Sequence, residues 1–180
     1  MVEMEFNPQA NLVEFLISPS TYSFDIQMKA ESIAMKIAND LQIVGVLAVE
    51  MFLTAEGDIL VNELAPRPHN SGHYSIEASY TSQFENHLRA ILDLPLGNTE
   101  SKVAGIMVNL VGEEGHSGQV VYKNIEQILA IDGVTPHIYG KRETRPFRKM
   151  GHVTIVNEDI TKARTTAEEV KKLIRVISNS

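Results

Sequence analysis

The amino-acid sequence predicts an α+β fold built from two segments, a larger mixed segment followed by a smaller, β-rich one with a terminal helix. Residues 25–41 and 75–92 place apolar side chains at helical spacing, whereas short runs rich in β-branched residues lie between turn-forming residues elsewhere. The chain has 180 residues, which is enough for one ordinary domain and a small appended module. We therefore predict two domains, 1–98 and 99–180.

The composition excludes several classes of protein. Hydrophobic residues make up 43% of the chain and charged residues 22%, as in ordinary globular proteins rather than disordered ones. The formal net charge of −7 disfavours nucleic acid as a partner, and the lack of cysteine excludes disulfides and a thiol nucleophile. No apolar run reaches the roughly 18 residues that a membrane span needs, and no signal-like segment opens the chain. We expect a cytoplasmic protein with no membrane partner.

The N-terminal residues predict two strands and then a helix. Residues 1–17 alternate loosely in hydrophobicity on either side of Asn7-Pro8-Gln9, which is typical of two short strands around a turn. The first strand has no lead-in, so we expect this chain to have been cut from a longer one. Between Asp25 and Leu41 the apolar residues form one helical stripe.

A hairpin and a loop follow this helix. Two nearly continuous apolar runs, 44–54 and 59–64, flank the turn Ala55-Glu56-Gly57-Asp58 and predict paired strands. Residues 65–74 contain two prolines, one arginine and two histidines, which is typical of a stiff polar loop. We then expect a helix over 75–92.

The second segment is predicted to be mainly strands with one helix at its end. Apolar runs separated by glycine-rich or charged turns predict strands at 103–111, 120–122, 137–139 and 152–156. An amphipathic pattern predicts a last helix over 161–177.

Two glutamates are predicted to face each other in the hairpin. With a turn centred between Glu56 and Gly57, Glu50 lies directly opposite Glu63, with Cβ atoms about 5 Å apart. Like charges placed so destabilise a sheet, so a shared proton, a basic side chain or a divalent cation such as Mg²⁺ is needed to offset them. The alternative interpretation is that one glutamate lies at a solvated strand end.

The loop after the hairpin carries further polar side chains. Residues that precede proline avoid the helical conformation, so we expect an extended track that holds Arg67, His69 and Asn70. Arginine is the usual fork for a planar oxyanion such as bicarbonate, carboxylate or phosphate. The spacing of His69 and His73 admits a metal site, with two ordinary polar loop histidines as the favoured alternative.

Basic residues are concentrated near the C-terminus and are opposed there only by Glu143. A dense positive patch on an acidic protein is typical of an anion-binding site, and a solvated hairpin tip is the alternative. The sequence has no P-loop, nucleophile elbow or dinucleotide fingerprint. The basic cluster consists of Lys141, Arg142, Arg145, Arg148 and Lys149.

Two strings of residues resemble a known family. Gly45 to Phe52, followed by Asn-Glu-Leu-Ala-Pro-Arg-Pro-His-Asn-Ser-Gly-His at 62–73, closely resembles the N5-carboxyaminoimidazole ribonucleotide synthetases. These are ATP-grasp enzymes of purine biosynthesis, also described as the ATPase subunit of phosphoribosylaminoimidazole carboxylase. The resemblance continues through 81–85, 94–97, 137–141 and 145–152, so it covers nearly all of the chain.

The resemblance implies a fold, a reaction and ligands. The fold implied is the C-terminal lobe of an ATP-grasp domain over 1–98, followed by a small β-rich domain. The enzyme implied is a ligase that uses Mg²⁺ with ATP to activate bicarbonate as carboxyphosphate. The amine of 5-aminoimidazole ribonucleotide then captures the carboxyl group. A homodimer is the candidate assembly.

The resemblance also implies roles for individual residues. Glu50 and Glu63 would hold Mg²⁺ against the ATP phosphates, and Asn62 and Glu3 would lie beside the nucleotide. Positions such as Arg67, His69 and Asn70 would line the pocket where bicarbonate is activated. The basic pair that binds substrate falls on Lys141 and Arg148.

The chain departs from the family in its extent. The first domain and most of the lobe that covers the nucleotide are missing, so we expect feeble nucleotide binding and no turnover by these residues alone. Two rivals stay open: another ATP-grasp ligase, such as a ribonucleotide formyltransferase, and a non-catalytic binding or regulatory module with the same fold. The string at 69–73 argues against the first rival. Intact Glu50, Glu63 and Arg67 argue against the second, whereas the missing lobe argues for it.

Overall fold

The computed structural model describes residues 1–7 and 12–179, which form two compact units. Residues 1–3 and 19–102 make up the first unit, and the described parts of 4–18 and 103–180 make up the second. The domain boundary after residue 98 stays a prediction. The predicted turn at Asn7-Pro8-Gln9 extends into residues 8–11, which lie outside the described residues.

The first unit contains one long helix, one hairpin and two shorter helices. The predicted helix over 25–41 is confirmed as α1, Phe24–Asp40. The hairpin is also confirmed, with strands β3 at Ala48–Leu53 and β4 at Ile59–Ala65. A single 3₁₀ turn at Asn70–Gly72 interrupts the loop that follows.

The single helix predicted over 75–92 is wrong, because two helices occupy this region. The short helix α2 spans Ser75–Ala78, and α3 spans Gln83–Ile91. The residues between them pair with an extended segment instead: Ser79 bridges Ser101, and the Tyr80 N–H donates to the carbonyl of Glu100 at 3.1 Å. These contacts satisfy backbone groups that a continuous helix would have bonded internally.

The second unit is built on a five-stranded sheet with the order β1-β2-β5-β9-β7. The two N-terminal strands, β1 at Glu3–Asn7 and β2 at Leu12–Ser18, confirm the alternating pattern, and β2 pairs antiparallel with β5. The remaining strands of this sheet are β5 at Ala104–Val111, β7 at Val134–Ile138 and β9 at Lys149–Asn157.

Helix α5, Ile160–Leu173, packs its apolar stripe against this sheet. Ala163, Ala167 and Val170 are fully buried, and these small side chains let the helix approach β5 and β9 closely. Fully buried Ile106 and Ile155 supply the sheet side of the same core.

The chain does not end in this helix, contrary to the prediction of a helix over 161–177. Helix α5 stops at Leu173, and strand β10 at Arg175–Ser178 joins a second sheet with the order β10-β6-β8. The other strands of that sheet are β6 at Gly118–Lys123 and β8 at Glu143–Thr144, and a short helix, α4, spans Ile125–Leu129. No helix in the described part of the chain is both long and apolar enough to cross a membrane.

Candidate functional site

The hairpin places Glu50 directly opposite Glu63, as the sequence predicts. The predicted register is nevertheless wrong near the turn, where Leu53 pairs with Ile59 and Phe52 with Leu60. The connection is an odd-numbered loop, closed by the Thr54 N–H donating to the carbonyl of Asp58 at 2.9 Å. Gly57 adopts a φ of 87° in this loop, a conformation that glycine tolerates best.

A β-bulge restores the pairing of the two glutamates. The register shifts between Glu50 and Met51, so that Asn62 is the extra residue on β4. Its side chain approaches Glu50, with Nδ2 at 3.5 Å from Glu50 Oε2. The bulge therefore brings three oxygen-bearing side chains, Glu50, Asn62 and Glu63, to one stretch of the hairpin.

Glu50 is the more enclosed of the two carboxylates. Its side chain is 17% exposed, whereas Glu63 is exposed. The His69 ring faces this carboxylate, with Nε2 at 3.6 Å from Glu50 Oε1. The family resemblance implies a place for His69 in the substrate pocket but does not imply this contact with Glu50.

Hydrogen bonds fix the tautomer of His69. The Ser71 N–H donates to His69 Nδ1 at 3.4 Å, and the Ser71 hydroxyl lies 2.9 Å from the same atom. Because Nδ1 accepts, the hydrogen of the neutral ring resides on Nε2, which faces Glu50. The ring thus presents a donor to the carboxylate.

The neighbouring residues of the loop have different environments. Arg67 is exposed, and its guanidinium donates to the carbonyl of Pro68 at 3.2 Å. Asn70 is half-buried at the start of the 3₁₀ turn. Both residues follow β4 on the same loop as His69.

Gln83 is a site residue that the sequence interpretation did not single out. Its side-chain amide bonds both main-chain groups of His69, accepting from the N–H at 2.9 Å and donating to the carbonyl at 2.8 Å. Gln83 is the first residue of α3, and Ser82 caps that helix by accepting from the Glu85 N–H. The sequence feature that could have pointed to Gln83 is this helix cap, since a residue at the first helical position lies beside the preceding loop.

The donor set suits Mg²⁺ that is shared with phosphate groups. Within the described residues, no group of three or more histidine, cysteine, aspartate or glutamate side chains is placed to hold a metal ion. Two facing carboxylates are, however, the usual protein share of a Mg²⁺ ion that phosphates also ligate. His69 and His73 each have protein partners, Ser71 and Gln83 respectively, which favours their interpretation as polar loop histidines.

Glu3 is the first residue of β1, but it groups with the first unit, where it has a local partner. Its carboxylate accepts hydrogen bonds from the Thr21 N–H at 3.1 Å and from the Thr21 hydroxyl at 2.7 Å. These bonds tie the start of the chain to the segment before α1.

Within the second unit, the basic cluster holds Lys141 in a partly enclosed position. Its ammonium donates to the carbonyl of Lys149 at 2.5 Å and lies 5.7 Å from the ring centroid of Tyr139. Burial, together with the positive charges of Arg148 and Lys149, lowers the pKa of Lys141 from its ordinary value. Arg148 donates to the carbonyl of Glu143 at 2.8 Å. Both side chains are therefore hydrogen-bonded to main-chain carbonyls of their own segment.

The chain matches two family models and is similar to several known proteins. The ATP-grasp domain model matches residues 4–84, and the phosphoribosylaminoimidazole carboxylase C-terminal domain model matches residues 105–166. The N5-carboxyaminoimidazole ribonucleotide synthase of Bacillus subtilis is 47% identical over 148 residues, which are 82% of this chain and 37% of that protein.

Solved structures show the same similarity. N5-carboxyaminoimidazole ribonucleotide synthetase from Thermotoga maritima superposes with a TM-score of 0.88 at 50% identity, over 92% of this chain and 46% of that one. The Aspergillus clavatus synthase, solved with ADP and 5-aminoimidazole ribonucleotide, gives a TM-score of 0.82 at 34% identity over 95% and 46%. The chain therefore spans less than half the length of each of these relatives.

Proposed function

Because the chain belongs to the N5-carboxyaminoimidazole ribonucleotide synthase family, we propose that it is the part of such an enzyme that holds the magnesium–phosphate side of the active site. The reaction proposed is the ATP-dependent carboxylation of 5-aminoimidazole ribonucleotide with bicarbonate, by way of carboxyphosphate. The observation that carries the proposal is the in-register pair Glu50 and Glu63, brought together by a bulge. A like-charge pair costs stability, so its presence is best accounted for by a bound cation.

The two glutamates are proposed to hold the metal from opposite strands. Mg²⁺ bound there would neutralise the ATP phosphates during phosphoryl transfer. Asn62 supplies a neutral amide next to Glu50, which suits a contact with the nucleotide better than a third charge would. Glu3 stays a proposed nucleotide contact.

The loop residues are proposed to act on the oxyanion and its proton. Arg67 presents an exposed guanidinium that can bind bicarbonate or a phosphate oxygen in a bidentate manner. His69 carries a hydrogen on Nε2 beside Glu50, so it can donate to an anionic oxygen held near that carboxylate. Asn70, fixed at the start of the 3₁₀ turn, offers a further neutral donor.

The basic cluster is proposed to bind the phosphate of the ribonucleotide. Lys141 and Arg148 both donate to main-chain carbonyls, and these bonds hold their flexible side chains in place. Burial lowers the pKa of Lys141, and the positive charges of Arg148 and Lys149 lower it further; a phosphate bound there would offset those charges. A homodimer and a cytoplasmic location stay predictions.

Paramagnetic NMR on this chain tests the metal site, because it detects weak binding. Mn²⁺ prefers the same carboxylate and phosphate oxygens as Mg²⁺ and broadens the signals of nearby nuclei. With Mn²⁺ and ADP added, we expect broadening centred on the amides of Glu50 and Glu63, lost in Glu63→Gln and retained in Glu56→Gln. Broadening centred elsewhere in the chain, or unchanged by Glu63→Gln, would contradict the proposal.

A further inference from the structure

Gln83 bonds the main chain of His69 in the manner of a β-ladder partner. His69 has extended dihedral angles, φ −126° and ψ 154°, and lies in the loop after β4. The Gln83 amide accepts from its N–H and donates to its carbonyl, just as a residue on a neighbouring strand would. One side chain therefore fixes the main chain at the residue whose ring faces Glu50.

The orientation of the Gln83 amide follows from these two bonds. The His69 N–H can only donate and its carbonyl can only accept, so Oε1 and Nε2 of Gln83 are assigned without ambiguity. The second hydrogen of Nε2 is directed at His73 Nδ1, which lies 2.8 Å away. His73 Nδ1 therefore accepts, and the hydrogen of its neutral ring is on Nε2.

The surrounding residues are shaped to keep Gln83 in this position. Its N–H donates to the Ser75 hydroxyl at 2.9 Å, and that hydroxyl donates to the carbonyl of Gly72 at 2.5 Å. A Cβ atom at Gly72 would collide with the carboxamide of Gln83. The absence of a side chain at Gly72 thus leaves the space that the Gln83 carboxamide occupies.

We propose that Gln83 is a positioning residue that holds His69 against Glu50 by clamping the main chain of His69 and that, at the same time, sets the tautomer of His73. The proposal rests on the proposed function in one respect, that His69 takes part in the chemistry. Gln83 itself touches neither the two glutamates nor, in this account, the substrate. Its effect reaches the site through the loop.

NMR on the 180-residue chain tests the clamp without any reference to activity. In the unsubstituted chain the ¹⁵N shifts of His73 should show that Nδ1 is unprotonated, and the His69 amide should be protected from hydrogen exchange. Gln83→Glu cannot donate to His73, so Nδ1 of that ring should become protonated and the pKa of His73 should rise. Gln83→Ala and Gly72→Ala should both expose the His69 amide to exchange. Gln127 is exposed on α4, so Gln127→Glu is the matched control and should change neither the His73 ring shifts nor the exchange of the His69 amide.

The role in catalysis is tested in an enzyme with both halves of the site. In a chimera, residues 1–180 replace the region that they match in the Thermotoga maritima enzyme. We expect Gln83→Glu to lower kcat by about 10- to 100-fold with the KM for ATP nearly unchanged, as is typical when a supporting residue is lost. A parental chimera without turnover would count against the proposed function alone. An active chimera whose kcat survives Gln83→Glu, or a His73 ring unchanged in the variant, would overturn the inference.

Discussion

Replacing Glu63 with glutamine should make the β3–β4 hairpin more stable, although it removes a proposed metal ligand. Facing residues in the hairpin have Cβ atoms about 5 Å apart. With this distance taken as the separation of the two carboxylate charges, they repel in water by about 0.8 kcal/mol. Screening at physiological salt roughly halves this repulsion. Because Glu63 is exposed, the value for water applies, and the expected gain is about 0.5 kcal/mol.

Native-state hydrogen exchange of the hairpin amides is the suitable assay, since it reports local stability rather than the unfolding of both units. A gain of about 0.5 kcal/mol slows exchange roughly twofold. The effect should vanish in 1 M salt, and Glu63→Gln should add nothing once Glu50 is already glutamine. Glu56→Gln changes the net charge equally but lies in the turn, so it serves as the control.

Exchange that is unchanged or faster in Glu63→Gln would show that the facing carboxylates do not destabilise the hairpin. So would an equal gain in the Glu50→Gln background, because it would show that the benefit does not come from the facing pair. Either result would favour the alternative interpretation, in which one of the two glutamates is a solvated residue at a strand end.

Three further predictions concern the second unit. Arg148→Ala should raise the pKa of Lys141 only part of the way to its ordinary value, because burial is the larger cause of its lowering and remains in the variant. ¹³C NMR of methylated lysines measures this pKa, and an unchanged value would contradict the prediction. Hydrogen bonds from Arg175 lower the pKa of Glu113 below its ordinary 4.5. The stability lost in Glu113→Gln should therefore be largest near neutral pH and disappear as the pH falls through the lowered pKa of Glu113. Urea titrations at several pH values should show the stabilities of the two proteins converging at low pH, and a pH-independent difference would contradict the prediction. In the chimera, Lys141→Ala or Arg148→Ala should raise the KM for the ribonucleotide much more than that for ATP, and equal increases would return both residues to the solvated-tip interpretation.

Local patterns predicted most elements but not their partners. Alternation predicts strands in residues 1–17, yet nothing nearby shows that β2 pairs with β5, roughly ninety residues away along the chain. Such pairing depends on the whole sheet and not on local spacing. The N-terminal strands consequently belong to the second unit, which a linear division of the sequence does not reveal.

Helix ends were missed where the apolar spacing continued past them. Ile174 and Ile177 fit the helical stripe of α5, but Val176 is buried and β10 pairs with β6, so tertiary contacts decide the conformation there. At Ser79 and Tyr80 the backbone pairing with residues 100–101 likewise overrides the helical spacing and ends α2.

The site was predictable in its residue types and less so in its geometry. Facing glutamates follow from hairpin pairing, but the bulge at Asn62 leaves no mark on the apolar pattern. The clamp by Gln83 spans fourteen residues of sequence and depends on the break between α2 and α3, which the spacing conceals.

We propose above that this chain supplies the magnesium–phosphate side of a carboxylating ligase. The most direct test is bicarbonate-dependent ATP hydrolysis stimulated by 5-aminoimidazole ribonucleotide, measured on the 180-residue chain and on the chimera. We predict no turnover by the chain alone, turnover by the chimera, and its loss in the Glu63→Gln chimera but not in the Glu56→Gln chimera. A folded chimera without stimulated turnover, or one that stays active after Glu63→Gln, would contradict the account.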